Sequence, residues 1–451
     1  MMAQEEENWG TQSITGRVCM RRMFVIAAIV AIGMACGSDS SNGTSEQPAL
    51  FDLDDWGPRV SDFGANTPGG SGGRVVRVTN LHPEGTGSLR FALSVPQPRV
   101  VVFEVGGVID LGKRTLVIRE PFVTVAGQTA PSPGITVIRG GISIQTHDVR
   151  IQHIRVRPGD AGEAKKSGWE PDGMGTSGGE AYNVVIDHCS ITWAVDENLS
   201  ASGPNTEGPE ATAHRITFSN CLIAEGLDDA SHSKGRHSKG SLIHDFCREI
   251  AIIGNLYAHN VQRNPYFKAF TTGAIVNNVI YNPGTAAIQV GFSESEFSGT
   301  GIPPQSCRIS VVGNVLIHGE DTRANLALVA SKGDAYLEDN IAVDRSGQPV
   351  ALTSGNITRL EEKPVWPEGL IPLPAAQVAD RVALNVGARP RDRDAVDTRI
   401  IQAFLARQGR VIDSQDEVGG YPVVPVTTRA LDVPTQNIDG WLSQLAAELE
   451  Y

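Results

Sequence analysis

Cysteine is scarce, six in 451 residues, and two of the six, Cys19 and Cys36, fall ahead of residue 37. The other four, Cys189, Cys221, Cys247 and Cys307, show no C-x2-C spacing, which excludes a zinc finger or ribbon. Aromatic residues make up only 6%, and no apolar run reaches the ~20 residues of a membrane span, so a polytopic membrane protein is excluded. Basic residues are outnumbered, 38 Lys+Arg against 51 Asp+Glu, for a net charge of -13. Such a balance argues against nucleic acid as a partner, because binding by counterion release needs a basic face. What is present is 40% apolar and 20% charged residues, enough for a large core and too apolar for disorder. The 49 glycines and 26 prolines punctuate short elements, which favours strands over a helical bundle.

Arg21 and Arg22 precede an apolar stretch from Met23 to Ala35, the length of a signal-peptide core. It ends at Met34-Ala35-Cys36 and is followed by Gly37-Ser38-Asp39-Ser40-Ser41-Asn42-Gly43, a pattern similar to a lipoprotein cleavage site with a flexible tether, although Gly33 stands where Leu is usual. The expectation is a leader over 1–36, a linker over 37–58, and export as an outer-membrane or periplasmic lipoprotein held through Cys36, or as an extracellular protein. Glu5, Glu6 and Glu7 make a poor signal start, which points to initiation at Met20 or Met23.

From residue 149 a short strand-like phrase returns: Ile151-Gln152-His153-Ile154, Ile186-Asp187-His188-Cys189, Phe218-Ser219-Asn220-Cys221, Ile253-Gly254-Asn255-Leu256, Val276-Asn277-Asn278-Val279, Val312-Gly313-Asn314-Val315 and Leu337-Glu338-Asp339-Asn340-Ile341. Its Asn or His recurs every 23 to 36 residues, within the range of solenoid repeats. A strand of about five residues cannot bury its apolar face alone, whereas coils stacked at ~4.8 Å pair it above and below. The sequence therefore predicts an all-β, right-handed parallel β-helix over 59–355, and a monomer is expected. Asn220, Asn255, Asn278 and Asn314 are read as turn-forming residues bonded to their equivalents on the next coil. The residues after them, with Ile154, Cys189, Cys221, Leu256, Val279, Val315 and Ile341, are expected to point inward, and the cysteines to stay free thiols. Gly85 to Leu93 suggests a short helix capping the open end. Beyond about residue 355, Pro364, Pro367, Pro372 and Pro374 break the strand pattern. Apolar spacing in Asp397–Leu405 and Trp441–Ala447 predicts two short helices, so 356–451 is expected to be a partly helical appendage packed on the solenoid.

The stretch Asn260-Val261-Gln262-Arg263-Asn264-Pro265-Tyr266-Phe267-Lys268, with Asn183-Val184-Val185-Ile186-Asp187-His188, closely resembles the pectate lyase family, polysaccharide lyase family one. Val125-Ala126-Gly127-Gln128-Thr129-Ala130-Pro131, His232-Ser233-Lys234-Gly235 and Asp413-Ser414-Gln415-Asp416-Glu417-Val418-Gly419-Gly420-Tyr421-Pro422 extend the likeness over about 60–425. The resemblance implies β-elimination of de-esterified pectin, an acidic polysaccharide, with Ca²⁺ as cofactor. It implies Arg263 as the base, from an Arg-x-Pro-x-x-Arg phrase whose last position here is Lys268. A lysine there binds a carboxylate as a point charge and loses the bidentate fork. Lys234 is similar to the family's substrate-contacting lysine, and Lys239 repeats the same His-Ser-Lys-Gly phrase from His237, so both are candidates, with Lys234 favoured.

The chemistry asks for these residue types. Removing the C5 proton of a galacturonate beside its carboxylate builds negative charge, which cations near the carboxylate oxygens offset. Between 228 and 268 six Lys/Arg stand against four acids, a local exception to the acidic whole. Calcium needs hard carboxylate oxygens on coils near Arg263, and Asp172, Asp196 and Glu197 are the candidates; in a strand the last two face opposite ways, so only a turn lets both bind. Asp187 and His188 are expected to support the site through hydrogen bonds within the coil. Two other functions fit the fold. A glycoside hydrolase would need paired carboxylates, with Asp228-Asp229 as the pair, but the Gly-His-Gly and Arg-Ile-Lys phrases of polygalacturonases are absent. A carbohydrate-binding β-helix without catalysis would have no use for Arg263, Lys234 and Asp172 together.

Overall fold

A computed structural model describes residues 59–204 and 206–451. The leader, the linker and the lipidation candidate Cys36 lie outside the described residues. The rest stacks three short strands per coil. The first strand of successive coils includes Val149–Gln152, Tyr182–Asp187, His214–Ser219, Arg248–Ile253 and Thr272–Val276. After a tight corner comes the second, such as Ile154–Arg157, Ser190–Thr192, Leu222–Ala224 and Leu256–Ala258. A loop of varying length leads to the third, such as Met174–Ser177, Leu199–Ser202, Leu242–Ile243 and Tyr266–Phe267. Every coil-to-coil pairing among these strands is parallel and brings like residues together, as in Ile151, Ile186, Phe218, Ile252, Ile275 and Val311. That ladder is the inside of the solenoid, where β-branched side chains pack from all three faces. The fold is a parallel β-helix.

The last long strand, Thr353–Arg359, carries the coils a few residues past the expected boundary. Ser88 caps the helix Leu89–Leu93, which closes the N-terminal end by packing Leu89, Ala92 and Leu93 onto the core. Cys189, Cys221, Cys247 and Cys307 are free and buried. Burial pushes the thiols of Cys189 and Cys307 up to about 12, leaving them unreactive.

The expected corner register needs a correction. His153, His188, Asn220, Gly254, Asn277, Gly313 and Asp339 are equivalent residues, all with left-handed backbone at φ between 46° and 68°. Asn255, Asn278, Asn314 and Asn340 stand one position later, where the amide of each bonds the next at 2.9, 3.0 and 3.1 Å. Asn220 stands outside that ladder and bonds Asp187 Oδ1 at 3.0 Å. Aligning the repeats by their Asn letter thus slips the later coils by one, and a one-residue slip turns a strand over. Ile154, Cys189 and Cys221 do face the interior. Leu256, Val279, Val315 and Ile341 face outward, and Tyr257, Ile280, Leu316 and Ala342 take the inner positions.

Those outward apolar residues explain the C-terminal segment. Helices Ala375–Asn385 and Ala395–Leu405 lie over the second sheet, setting Val378, Val382, Ile400 and Phe404 against Leu222, Leu256, Val279 and Val315. A third helix, Ile438–Leu449, seats Leu442 against Val100, Val102 and Ala126. Buried ion pairs fix the second helix: Arg157 reaches Asp394 at 2.6 Å and Asp397 at 2.7 Å, while Arg155 meets Asp397 at 3.2 Å. Ala375–Asn385 went unforeseen because the prolines just before it dominate that stretch of sequence. Among the described residues no helix is long and apolar enough to cross a membrane.

Candidate active site

The loops between second and third strands emerge on one flank, and the chemistry gathers there. Glu197, Lys239 and Gln262 occupy equivalent positions on three successive coils, joined by parallel bridges. Arg263 follows Gln262, and its guanidinium pairs with the Glu197 carboxylate two coils away. Its backbone is left-handed at φ 62°, its N–H donates to Gln289 Oε1 at 2.7 Å, and its guanidinium lies 6.0 Å from the ring centre of Tyr266. Asn198, Asn260 and Asn264 brace the loop from beneath, Asn198 Nδ2 donating to Asn260 Oδ1 and Asn260 Nδ2 to Asn264 Oδ1, both at 3.1 Å.

Asp172, Asp196 and Glu197 converge so that one oxygen from each lies within 4.8 Å of the others. The chain bends at Val195–Asp196, which lets both Asp196 and Glu197 face the same space, and the Glu197 N–H donates to Asp172 Oδ1 at 3.2 Å. Asp172 keeps an exposed surface although protein crowds it. That desolvation, together with the negative charge of Asp196, pushes its carboxyl well above the usual range. Asp196 goes the other way: burial would raise it, but hydrogen bonds from His232 and His237 hold it below the usual range. Three hard oxygen donors, one of them strained by like charge and open to solvent, fit a calcium ion.

His232 and His237 were not singled out as site residues. His237 Nε2 lies 2.9 Å from Asp196 Oδ1, and the two imidazoles stack at 3.7 Å. The signal was in the duplicated His-Ser-Lys-Gly phrase, where the histidines, equally spaced from their lysines, orient Asp196.

The cationic candidates separate. Lys239 is buried between the coils of Glu197 and Gln262 and belongs to the site, whereas Lys234 is exposed on the loop. Lys268 is buried, with its ammonium 3.1 Å from Asp245 and 2.7 Å from Glu296, so its charge is already matched. Asp187 and His188 sit at the corner between first and second strands, at the other end of the strand from the site. Asp187 meets His188 Nδ1 at 3.0 Å and accepts from Ser219 at 2.7 Å, while His188 contacts Asn385 of the C-terminal segment at 3.1 Å. They brace the coil and the tail instead of the Arg263 loop. Asp228 and Asp229 do not form a facing pair: Asp228 binds Arg236 at 2.6 Å and Asp229 binds Lys165 at 2.7 Å.

The parallel β-helix thus sets an arginine and a lysine against three carboxylates across adjacent coils. The chain is 33% identical over 376 residues to a probable pectate lyase C of Aspergillus flavus, covering 80% of each protein. It is 32% identical over 396 residues to that of Aspergillus fumigatus, covering 84% of each. The chain belongs to the pectate lyase family. No family model matches it. Solved structures share the fold at low identity. The major allergen of cedar pollen superposes with TM-score 0.51 at 15% identity, covering 70% of this chain and 90% of the allergen. A Bacillus subtilis pectate lyase gives TM-score 0.50 at 15% identity, covering 73% and 96%.

Proposed function

We propose that this lyase cleaves de-esterified pectin, polygalacturonate, by β-elimination, with Arg263 as the base and Asp172, Asp196 and Glu197 as the calcium ligands. The observation that carries the reading is the Arg263–Glu197 pair beside the carboxylate trio, with Lys239 on the coil between them. In its neutral form Arg263 takes the C5 proton of a galacturonate lying along the loops, the electron pair of that C–H bond forms the C4–C5 double bond of an unsaturated uronate, and the C4–O bond breaks so that the leaving sugar oxygen takes up a proton from water. Lys239 offers a fixed positive charge to the sugar carboxylate, and Tyr266 limits where the guanidinium can swing. His232 and His237 hold Asp196 in place and keep it ionised. Calcium, when bound, supplies a hard dication against which the substrate carboxylate spreads its growing charge. Export, with or without a lipid on Cys36, follows from the Arg21-Arg22 and Met23–Cys36 pattern, and a monomer is the expected state. Incubation of the purified chain with polygalacturonate, with and without EDTA, tests the proposal. Calcium-dependent ultraviolet absorbance of an unsaturated product is expected, and reducing ends formed without that absorbance would mean hydrolysis.

A further inference from the structure

Beside Lys239 and Gln262 the loops enclose a cavity of about 480 Å³, within the ~300–1,000 Å³ of small-molecule sites. Its floor runs along the solenoid over Ser238, Val261 and Gly284, one coil after another. Backbone contacts tie these loops together: the Val261 N–H donates to Ser238 Oγ at 3.1 Å, the Thr285 N–H to the Val261 carbonyl at 2.7 Å, and the Arg323 N–H to the Gly284 carbonyl at 2.8 Å. The far wall comes from the C-terminal segment, where Val411 lines the cavity and its N–H donates to Asp321 Oδ2 at 2.8 Å. No part of the tail's packing on the second sheet requires this contact with the loops.

Three cations, Arg236, Lys239 and Arg323, line the cavity against two acids, Asp228 and Asp321, so its net charge is positive in a chain that is acidic overall. The acids are engaged within the protein. Asp228 is buried and accepts from Arg236 Nε at 2.6 Å, while Asp321 accepts from the Asn282 amide and the Val411 N–H, both at 2.8 Å. Arg323 is exposed, and among the described residues no carboxylate lies in ion-pair reach of its guanidinium. Around this open cation stand polar groups on Gln262 and Thr285 and carbon surface from Val261 and Val411. A sugar acid presents the complementary set: one carboxylate, several hydroxyls and an apolar C–H face.

We propose that this cavity is a subsite for a further uronate unit of the polysaccharide, with the Arg323 guanidinium binding its carboxylate and Val411 of the C-terminal segment forming its far wall. The inference rests on the lyase reading of the adjoining groove and deepens it. Gln262 lines the cavity and directly precedes Arg263, so the two spaces are continuous. Arg323 belongs to the second coil after that of Arg263, ~9.6 Å along the solenoid, a separation that units of one sugar chain can span. The planar guanidinium matches a carboxylate with two parallel hydrogen bonds, which fixes the unit's orientation as well as its charge. The C-terminal appendage thereby takes part in substrate binding in addition to covering the second sheet.

Product mapping tests the assignment. Hexagalacturonate labelled at its reducing end is cut by the full chain and by Arg323→Ala, Arg323→Lys and Val411→Glu, and the labelled products are separated by length. The hexamer can lie in the groove in several frames, and only some of them place a unit in the cavity. Arg323→Ala is expected to lower the yield from those frames by about tenfold relative to the others, the weight of one charged hydrogen-bonded contact. Arg323→Lys should fall between it and the parent, and Val411→Glu, which sets a carboxylate in the opposite wall, should shift the products in the same direction. Product ratios equal in all four proteins would overturn the proposal. Absence of any unsaturated product would count against the lyase reading, and calorimetry separates that failure from failure of the subsite. In an Arg263→Ala background, hexagalacturonate should bind about tenfold more weakly once Arg323 is also replaced by Ala, and equal affinity would overturn the subsite.

Discussion

Arg263 reaches back two coils to pair with Glu197, and Lys239 is stacked on the coil between them. The three residues are separated by tens of positions in sequence, yet parallel stacking sets them one coil height apart, ~4.8 Å. The side chains proposed for catalysis, substrate binding and cation binding thereby share one rigid frame.

Replacing Arg263 by Ala should lower polygalacturonate cleavage by about 10²–10⁴-fold, the range for loss of a positioned proton acceptor. Circular dichroism should be unchanged, because the side chain belongs to a loop. Initial rates from ultraviolet absorbance check the size, and a loss below tenfold would remove Arg263 from the role of base.

EDTA should abolish the activity and added calcium should restore it. Asp172→Asn should raise the calcium concentration for half-maximal rate by about 10-fold or more, since it removes one of three carboxylates. A calcium titration of both proteins gives the number.

Lys239→Ala should raise KM by about tenfold or more, while Lys234→Ala should change it less than about threefold. The difference rests on burial within the coils for one and exposure on a loop for the other, where solvent and salt screen a charge. Parallel KM measurements decide between the two lysines.

Asp397→Ala should destabilise the protein by about 3–5 kcal/mol, because it leaves Arg155 and Arg157 short of a buried counter-charge. Denaturant unfolding followed by tryptophan fluorescence measures the loss.

Acid should loosen the same contact. Burial would raise the Asp394 carboxyl, but the charges of Arg157 and Arg155 hold it below its usual range. A folded pKa below the unfolded one means that the ionised group stabilises the fold above about pH 4, and that this contribution is lost as pH falls. Tm recorded from pH 7 to pH 3 should fall, and Asp394→Asn should flatten that slope.

The coil repeat was legible because a strand pairing with its own equivalent must keep one pattern of apolar residues, from Ile151 to Val311. The corner was misread because two adjacent positions both select Asn, one for its tolerance of left-handed backbone and one for its amide ladder. Only pairing across coils tells Asn220 from Asn255. That Asp172, Asp196 and Glu197 would gather near Arg263 was legible from their place in the repeat. The pairing of Lys268 with Asp245 and Glu296, and the backing of Asp196 by His232 and His237, are contacts between coils that no local pattern reports. The outward Leu256, Val279 and Val315 looked like core, and they are core, but of the layer that the C-terminal helices cover.

The Asn255–Asn278–Asn314–Asn340 ladder resets the chain at every turn, so a loop on the opposite flank can lengthen or shorten without shifting the strand that follows. Insertions and deletions there leave the scaffold untouched. Substrate preference in such a chain can therefore drift by loop exchange alone, with the frame inherited whole.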